Sequence, residues 1–317
     1  MPRRKFEAWL SKPDACVALI GASGWIGAAL ADRVLAAGLP ADRLRVFTSL
    51  PRTLKVGATS LRTQRLDDQS CPGKGDWLVL HAGIIGAQRV TGGDLGDVRR
   101  VNDGLLANVL GLAGAGQIRR LVMLSSGAAH QPGEGGPAKS AYSQMKRDHE
   151  DVVADWAART GNSVLLPRVF NLGGPYMTHP QNYALGDFIL SQARTGRIAI
   201  GSGDPVIRDF THVLEMAALL LDMAVDEAEG PQPFDIGGGE VIELGALARL
   251  VAAAFGVETP AINRPAPTGG AGDRYVGDGA RYQAALAKAG QTPSPLPIII
   301  ADTVDYLRQT GALSPAS

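Results

Sequence analysis

The stretch CVALIGASGWIGAALADRVLAAG, residues 16–38, decides the fold. Its first five residues form a short apolar run suited to a strand buried on both faces. Gly21, Gly24 and Gly27 follow, and the chain then takes up a helical period that closes at Gly38. Strand, glycine turn and helix in this order let backbone N–H groups at the positive end of a helix approach a pyrophosphate. In a chain with 40 glycines the spacing alone is weak. The strand before it and the helix after it point to nucleotide binding, with tight strand–helix packing as the plainer explanation.

Outward from this stretch, strand-like runs recur at 44–48, 77–80, 121–125 and 163–166, and helix-like stretches fall near 97–115 and 140–160. The alternation predicts an α/β protein with a Rossmann-type, doubly wound parallel sheet. Past Pro167 the pattern loosens into loops, with helices expected near 186–195, 213–226, 243–255 and 298–310. The expected organisation is a dinucleotide-binding domain over 1–170, with later return segments near 197–228, and a smaller substrate-binding lobe over 171–196 and 229–317. No repeat of roughly 20–50 residues is visible.

Composition narrows the function. The 317 residues carry 31 Lys+Arg against 31 Asp+Glu, which argues against bulk electrostatic attachment to nucleic acid or a membrane surface and leaves a small-molecule partner. Cys16 and Cys71 form no Cys-x-x-Cys pair, and the five histidines show no metal spacing, so free thiols and no metal are expected. The basic start MPRRKFEAWLSKPDA lacks the apolar core of roughly 7–15 residues that a secretory signal needs, and no long apolar run follows. A soluble, cytoplasmic protein is expected.

The chemistry-bearing residues come in order along the chain. In Tyr142-Ser-Gln-Met-Lys146 the outer residues share one helix face, which brings an ammonium near a phenol and favours its ionised form. Such a tyrosine passes a proton to or from an alcohol while a nicotinamide passes the hydride. The pair by itself also suits an exposed helix face. Ser125 and Ser126 shift the balance, because they end the apolar run LVMLSS and place a hydroxyl at the carboxyl edge of the sheet, where ligands of such folds bind.

With the glycine turn, the strand-end serine and Tyr142/Lys146 in this order, the chain resembles the extended short-chain dehydrogenase/reductase family, more narrowly its nucleotide-sugar epimerase/dehydratase group. Further matches are Ala82-Gly83, Asn102, Arg168-Val-Phe-Asn171 with Gly174-Pro175, Arg208-Asp209-Phe-Thr-His-Val and FDIGGGE at 234–240, so the likeness covers nearly the whole chain. The resemblance implies a catalytic centre of Ser126, Tyr142 and Lys146. In it Tyr142 is the general acid/base, Ser126 orients the reacting oxygen and Lys146 also holds the nicotinamide ribose. It places Gly21, Ser23, Gly24, Trp25, Ile26, Gly27, Asp67, Ala82, Gly83 and Phe170 at the cofactor. Ser126, Asn171, Arg208 and Arg274 fall at the nucleotide-sugar, the two arginines facing its diphosphate. Asn102 is either a helix-packing amide or a catalytic one. A homodimer formed through the two helices near 97–115 and 140–160 is implied as well, since Leu105, Leu106, Val109, Leu112, Val152, Val153 and Trp156 could face either the sheet or a partner.

Two departures from the family pattern matter. Gly127 and Ala128 stand where dehydratases of this group carry an Asp-Glu pair, and neither side chain moves a proton. At the end of the second strand no Asp or Glu occurs between Asp42 and Asp67, so the carboxylate that would hold the 2′-hydroxyl of NAD is missing. Thr48, Ser49 and Arg52 could bind a 2′-phosphate there, Arg52 otherwise being a solvated loop charge. The expectation is an NAD(P)-dependent sugar-nucleotide C4 epimerase or 4-ketoreductase, with NADP favoured. The rival from another class is a cofactor-binding sensor or scaffold that has lost turnover.

Overall fold

The computed structural model describes residues 4–66, 75–84, 94–114, 118–131, 136–226, 230–237 and 239–313. The chain divides into two compact units, one formed by Met1–Arg168 with Ala217–Phe234, the other by Val169–Met216 with Asp235–Ser317.

In the first unit, helix α1 (Lys5–Leu10) precedes strand β1 (Ala15–Ile20), all six of whose residues are buried. The start of the chain, read from sequence only as basic and without the apolar core of a secretory signal, carries Phe6, Trp9 and Leu10 at helical spacing, and all three are buried. Helix α2 (Trp25–Ala36) leads to β2 (Leu44–Phe47), the hairpin β3 (Thr53–Val56) and β4 (Thr59–Arg62), then β5 (Asp76–His81). Helix α3 (Leu95–Gly114), β6 (Ile118–Met123), β7 (Ser125–Ser126), helix α4 (Pro137–Thr160), β8 (Ser163–Leu165) and β9 (Pro167–Val169) complete the run. The sheet has the order β2-β1-β5-β6-β8, parallel throughout. This is the Rossmann-type arrangement expected from the strand–helix alternation.

Alternating faces of β1, β5 and β6 send Ala18, Ile20, Val79, Leu121 and Met123 into one core with Leu106, Val109 and Leu112 of α3 and Val153 and Trp156 of α4. Each such large side chain is worth about 1.5–3 kcal/mol when fully withdrawn from water. Five of the seven apolar residues that could have faced a partner are therefore spent on the sheet, and Leu105 packs partly against the same core. Val152 alone of the seven stays open, 46% exposed.

The second unit is built from short strands. After β10 (Leu172–Gly173), helix α5 (Ala184–Thr195) and β11 (Arg197–Ala199) comes its longest strand, β12 (Val206–His212). Helix α6 (Val213–Ala224) carries the chain back to the first unit, and β13 (Phe234–Ile236) leads out of it again. Then follow β14 (Glu240–Glu243), helix α7 (Leu244–Ala254), β15 (Ala261–Asn263), β16 (Asp273–Tyr275), helix α8 (Ala280–Lys288) and helix α9 (Leu296–Gln309). β12 pairs parallel with β10 and β16 and antiparallel with β14. The small strands were not foreseen, nor was α8; strands of two to four residues whose partners lie 30 to 70 positions away leave almost no local period.

Among the described residues no helix is long and apolar enough to cross a membrane, and no cluster of His, Cys, Asp or Glu is placed to hold a metal. Cys16 is a buried free thiol whose pKa is raised by burial, while Cys71 lies outside the described residues.

Candidate active site

The glycine turn is held by the carboxyl ends of three strands. Gly21 N donates to Phe47 O at 2.9 Å and Ala82 N to Ile20 O at 3.0 Å. Gly21 has φ +89°, and a Cβ on it would lie 2.5 Å from Gly83 N. A Cβ on Gly27 would lie 2.1 Å from Gly21 O, so the turn and the first helical coil touch through bare backbone. Gly24 is different: it caps α2 without a side chain, and a Cβ there would meet nothing nearer than 3.5 Å. The first amides of α2 thus lack a side-chain cap, as an anion-binding helix end requires. Trp25 packs inward, and Ser23 and Ile26 are half-buried.

A groove of about 440 Å³ opens beside the turn, lined among others by Gly21, Ser23, Phe47, Thr48, Ser49, Arg65 and Gly83. Its size and its glycine floor fit the adenosine end of a dinucleotide. Thr48 is buried, and its hydroxyl lies 2.7 Å from Leu50 O and 2.8 Å from Thr63 Oγ1. Arg52 opens the β3–β4 hairpin, its N–H donating to Thr63 Oγ1, and its exposed side chain lies outside the groove lining. The hairpin returns the chain to the sheet, where Thr48 N donates to Gln64 O and Gln64 N to Val46 O. That return brings Arg65, rather than Arg52, to the groove. The signal in the sequence was the Gly57-Ala58 turn between TLKV and TSLR, which makes residues 63–66 neighbours of 46–48. Asp67 lies outside the described residues.

At the other strand ends, Ser126 N-caps a 3-10 turn, Gly127–His130, and its hydroxyl accepts from Ala128 N at 3.2 Å. The same hydroxyl is hydrogen-bonded to the Tyr142 phenol. Although 37% of Tyr142 is exposed, its hydroxyl is desolvated, which raises its pKa; the Ser126 bond pulls the other way. Lys146, one turn on, donates to Leu124 O at 3.0 Å. Burial lowers its pKa to about 8, with Glu150 opposing. The structure thus departs from the expectation drawn from the Tyr-x-x-x-Lys spacing. Lys146 reaches the backbone at the end of β6, and the phenol's balance is set by burial and Ser126 rather than by the ammonium. Gly127 and Ala128 sit in the 3-10 turn, and neither side chain can move a proton. His81, at the end of β5, is buried and held neutral, its pKa lowered to about 3 by desolvation and Lys146; its Nδ1 has no hydrogen-bond partner among the described residues. Asn102 is buried and donates to Val98 O, one turn back on the same helix.

The second unit holds the remaining candidates. Phe170 packs on Tyr275 with ring centroids 4.6 Å apart. The Nδ2 of Asn171 is buried without a hydrogen-bond partner among the described residues, an orphaned donor of the kind a ligand satisfies. On β12, Arg208 donates to Asp273 Oδ2 at 2.5 Å and to Ile207 O at 2.8 Å, and its guanidinium lies over the Tyr275 ring. Arg274, opposite Ile207 in the ladder, is exposed. Asp209 is fully buried and accepts from Gly277 N, and His212 accepts from Leu214 N at the start of α6; both contacts lie within this unit.

Residues 17–237 match the model of a family described as NAD dependent epimerase/dehydratase. A dTDP-L-rhamnose 4-epimerase from Burkholderia thailandensis is 28% identical over 126 residues, 39% of this chain. The match covers 35% of that protein, about a third of its length. Among solved structures, a UDP-glucose 4-epimerase of Thermus thermophilus in complex with NAD superposes with a TM-score of 0.70 at 20% identity, over 93% of this chain and 99% of that one. A dTDP-glucose 4,6-dehydratase of Streptomyces venezuelae, solved with NAD bound, superposes with a TM-score of 0.71 at 18% identity, over 94% and 98%. At these identities the two structures share the fold.

Proposed function

Because the chain belongs to the NAD dependent epimerase/dehydratase family, we propose that it is an NAD(P)-dependent oxidoreductase of nucleotide-linked sugars, a C4 epimerase or a 4-ketoreductase. The observation that carries this reading is the hydroxyl pair Ser126–Tyr142 at the carboxyl edge of the sheet, with buried Lys146 one turn further along α4. Tyr142 takes the proton of a sugar hydroxyl, or returns one to a carbonyl, while Ser126 fixes the reacting oxygen. The nicotinamide, when bound, supplies the carbon that takes or gives the hydride. The turn Gly21–Gly27 and residues 82–83 hold the dinucleotide in this reading, Lys146 its ribose, and Asn171 and Arg208 the substrate's diphosphate side, a guanidinium matching phosphate bidentately.

Gly127 and Ala128 speak against elimination of water, since that step needs an acid and a base where these two side chains offer neither. For the cofactor we favour NADP. No carboxylate occurs among the described residues of the groove lining, and Arg65 brings positive charge to it.

The test is to incubate the purified protein with sugar nucleotides of each base and follow nicotinamide absorbance, alongside mass spectrometry of whatever the purified protein retains. Stoichiometric retained dinucleotide with interconversion of two sugars supports the epimerase. Turnover only with added NADPH supports the reductase. No cofactor-linked turnover with any sugar nucleotide refutes both and leaves the binding-only alternative.

A further inference from the structure

Tyr142, Lys146 and Glu150 are spaced i, i+4 and i+8, so they follow one another along a single face of α4. Opposite them run three consecutive residues, 124–126, and each meets one of the three. Leu124 O accepts from Lys146 Nζ at 3.0 Å, Ser125 Oγ donates to Glu150 Oε1, and the Ser126 hydroxyl is bonded to Tyr142. The middle rung is the anchored one. Glu150 is 1% exposed, and Arg168 grips it with two parallel bonds, Nε to Oε1 at 2.8 Å and Nη2 to Oε2 at 2.6 Å. Arg168 is itself buried.

A buried ion pair is weak evidence for stability, because apolar residues of similar volume commonly serve a fold as well or better. We propose that Glu150, locked by Arg168, is a positioning residue: it fixes the register of α4 against residues 124–126 and supplies the negative charge that faces Lys146. The inference rests on the functional reading above, in which Tyr142 moves the proton and the Lys146 ammonium holds the nicotinamide ribose.

The other groups around Lys146 do not supply that charge. On its own helix lie Tyr142, Arg147 and His149; Arg147 Nη1 sits 3.6 Å from Glu150 Oε2, and His149 has its pKa lowered by burial and in part by Lys146. From β5, buried His81 is neutral, and on β9 Arg168 is cationic with His130 beside it. Among the described residues, Glu150 is the group that raises the pKa of Lys146 against its burial.

The experiment compares the parent protein, Glu150→Gln and the double variant Glu150→Gln/Arg168→Met by kcat/KM against pH, NADP(H) and NAD(H) titration against pH, and melting temperature. With Lys146 near pKa 8 in the parent, removing the carboxylate lowers that value, so the ammonium is lost at lower pH. A one-unit shift leaves activity and cofactor affinity close to the parent's at pH 6 and cuts both by about fivefold at pH 8. The double variant, free of an unpaired buried guanidinium, regains melting temperature relative to Glu150→Gln yet keeps the displaced alkaline limb. Glu150→Gln following the parent's pH profile overturns the proposal, as does a double variant that recovers both stability and profile. A parent that neither turns over nor binds a dinucleotide overturns the functional reading itself, and the positioning role with it.

Discussion

Arg65→Ala should separate the two dinucleotides. Arg65 is the charged residue among the described groove lining, at the edge of β2 where the adenosine ribose of a bound dinucleotide would lie. A hydrogen bond to a charged group is worth about 1.5–3 kcal/mol, and since Arg65 is exposed its screened contribution belongs in the lower half of that range. A loss of about 1.5–2 kcal/mol is roughly a ten- to thirtyfold weaker NADP(H) complex. NAD(H), which lacks the phosphate, should change by less than about twofold on the same argument. Arg52→Ala is the control: its backbone belongs to the hairpin and its side chain lies outside the groove, so neither affinity should move. Fluorescence titration of parent and both variants, repeated at low and high ionic strength, reads these differences. Equal binding of the two cofactors by the parent, an equal loss of both in Arg65→Ala, or a loss reproduced by Arg52→Ala would refute the reasoning.

Replacing Tyr142 by Phe removes only the ionisable hydroxyl; turnover should drop about 10²-fold or more with cofactor affinity largely kept, as stopped-flow and titration would show. Gly27→Ala drives a Cβ into the Gly21 carbonyl, so we expect a loss of about 1–3 kcal/mol by thermal melting together with weakened cofactor binding, whereas Gly24→Ala, which meets only the Gly21 carbonyl at van der Waals distance, should leave the melt nearly unchanged. Arg168→Met strands the Glu150 carboxylate in the interior and should cost about 3–5 kcal/mol in chemical denaturation; a change under about 1 kcal/mol would mean that water reaches Glu150. For assembly, light scattering at micromolar concentration tests the homodimer that the family resemblance implies: with five of the seven candidate residues of α3 and α4 buried against the sheet, a dimer must form through other surface, and a monomeric mass would overturn that expectation.

The first unit was legible because its decisive signals are local. A buried strand followed by Gly21 and Gly27 leaves one economical solution, and LVMLSS announces both a strand and the hydroxyls at its end. What escaped was whatever depends on partners distant in sequence. Arg65 became a groove residue only through a hairpin of two four-residue strands, whose exposed alternate positions resemble an ordinary loop. The Tyr142–Lys146 spacing reports that the two side chains share a face, but not how far each reaches, and it was the carbonyl of Leu124 that received the ammonium. Glu150 was passed over for a related reason. A glutamate on a charged helix reads as solvated until Arg168, 18 positions later, is seen to enclose it.

The chain passes between its two units at 168/169, 216/217 and 234/235, and this has a consequence for synthesis. The strands of the parallel sheet have all left the ribosome by the time Arg168 emerges, but the segment 217–234 that belongs with them follows only after β10 to β12. At about 5–20 residues per second the delay is several seconds. Meanwhile Asp222 is not yet there to accept the N–H of Phe6, nor Phe234 to donate to Leu166 O. The nascent first unit must therefore wait with an unfinished surface, and a fragment ending near 170 should be a poor stand-in for it. An expression plasmid meant to isolate the dinucleotide-binding half should instead join 1–168 directly to 217–234 through a short linker.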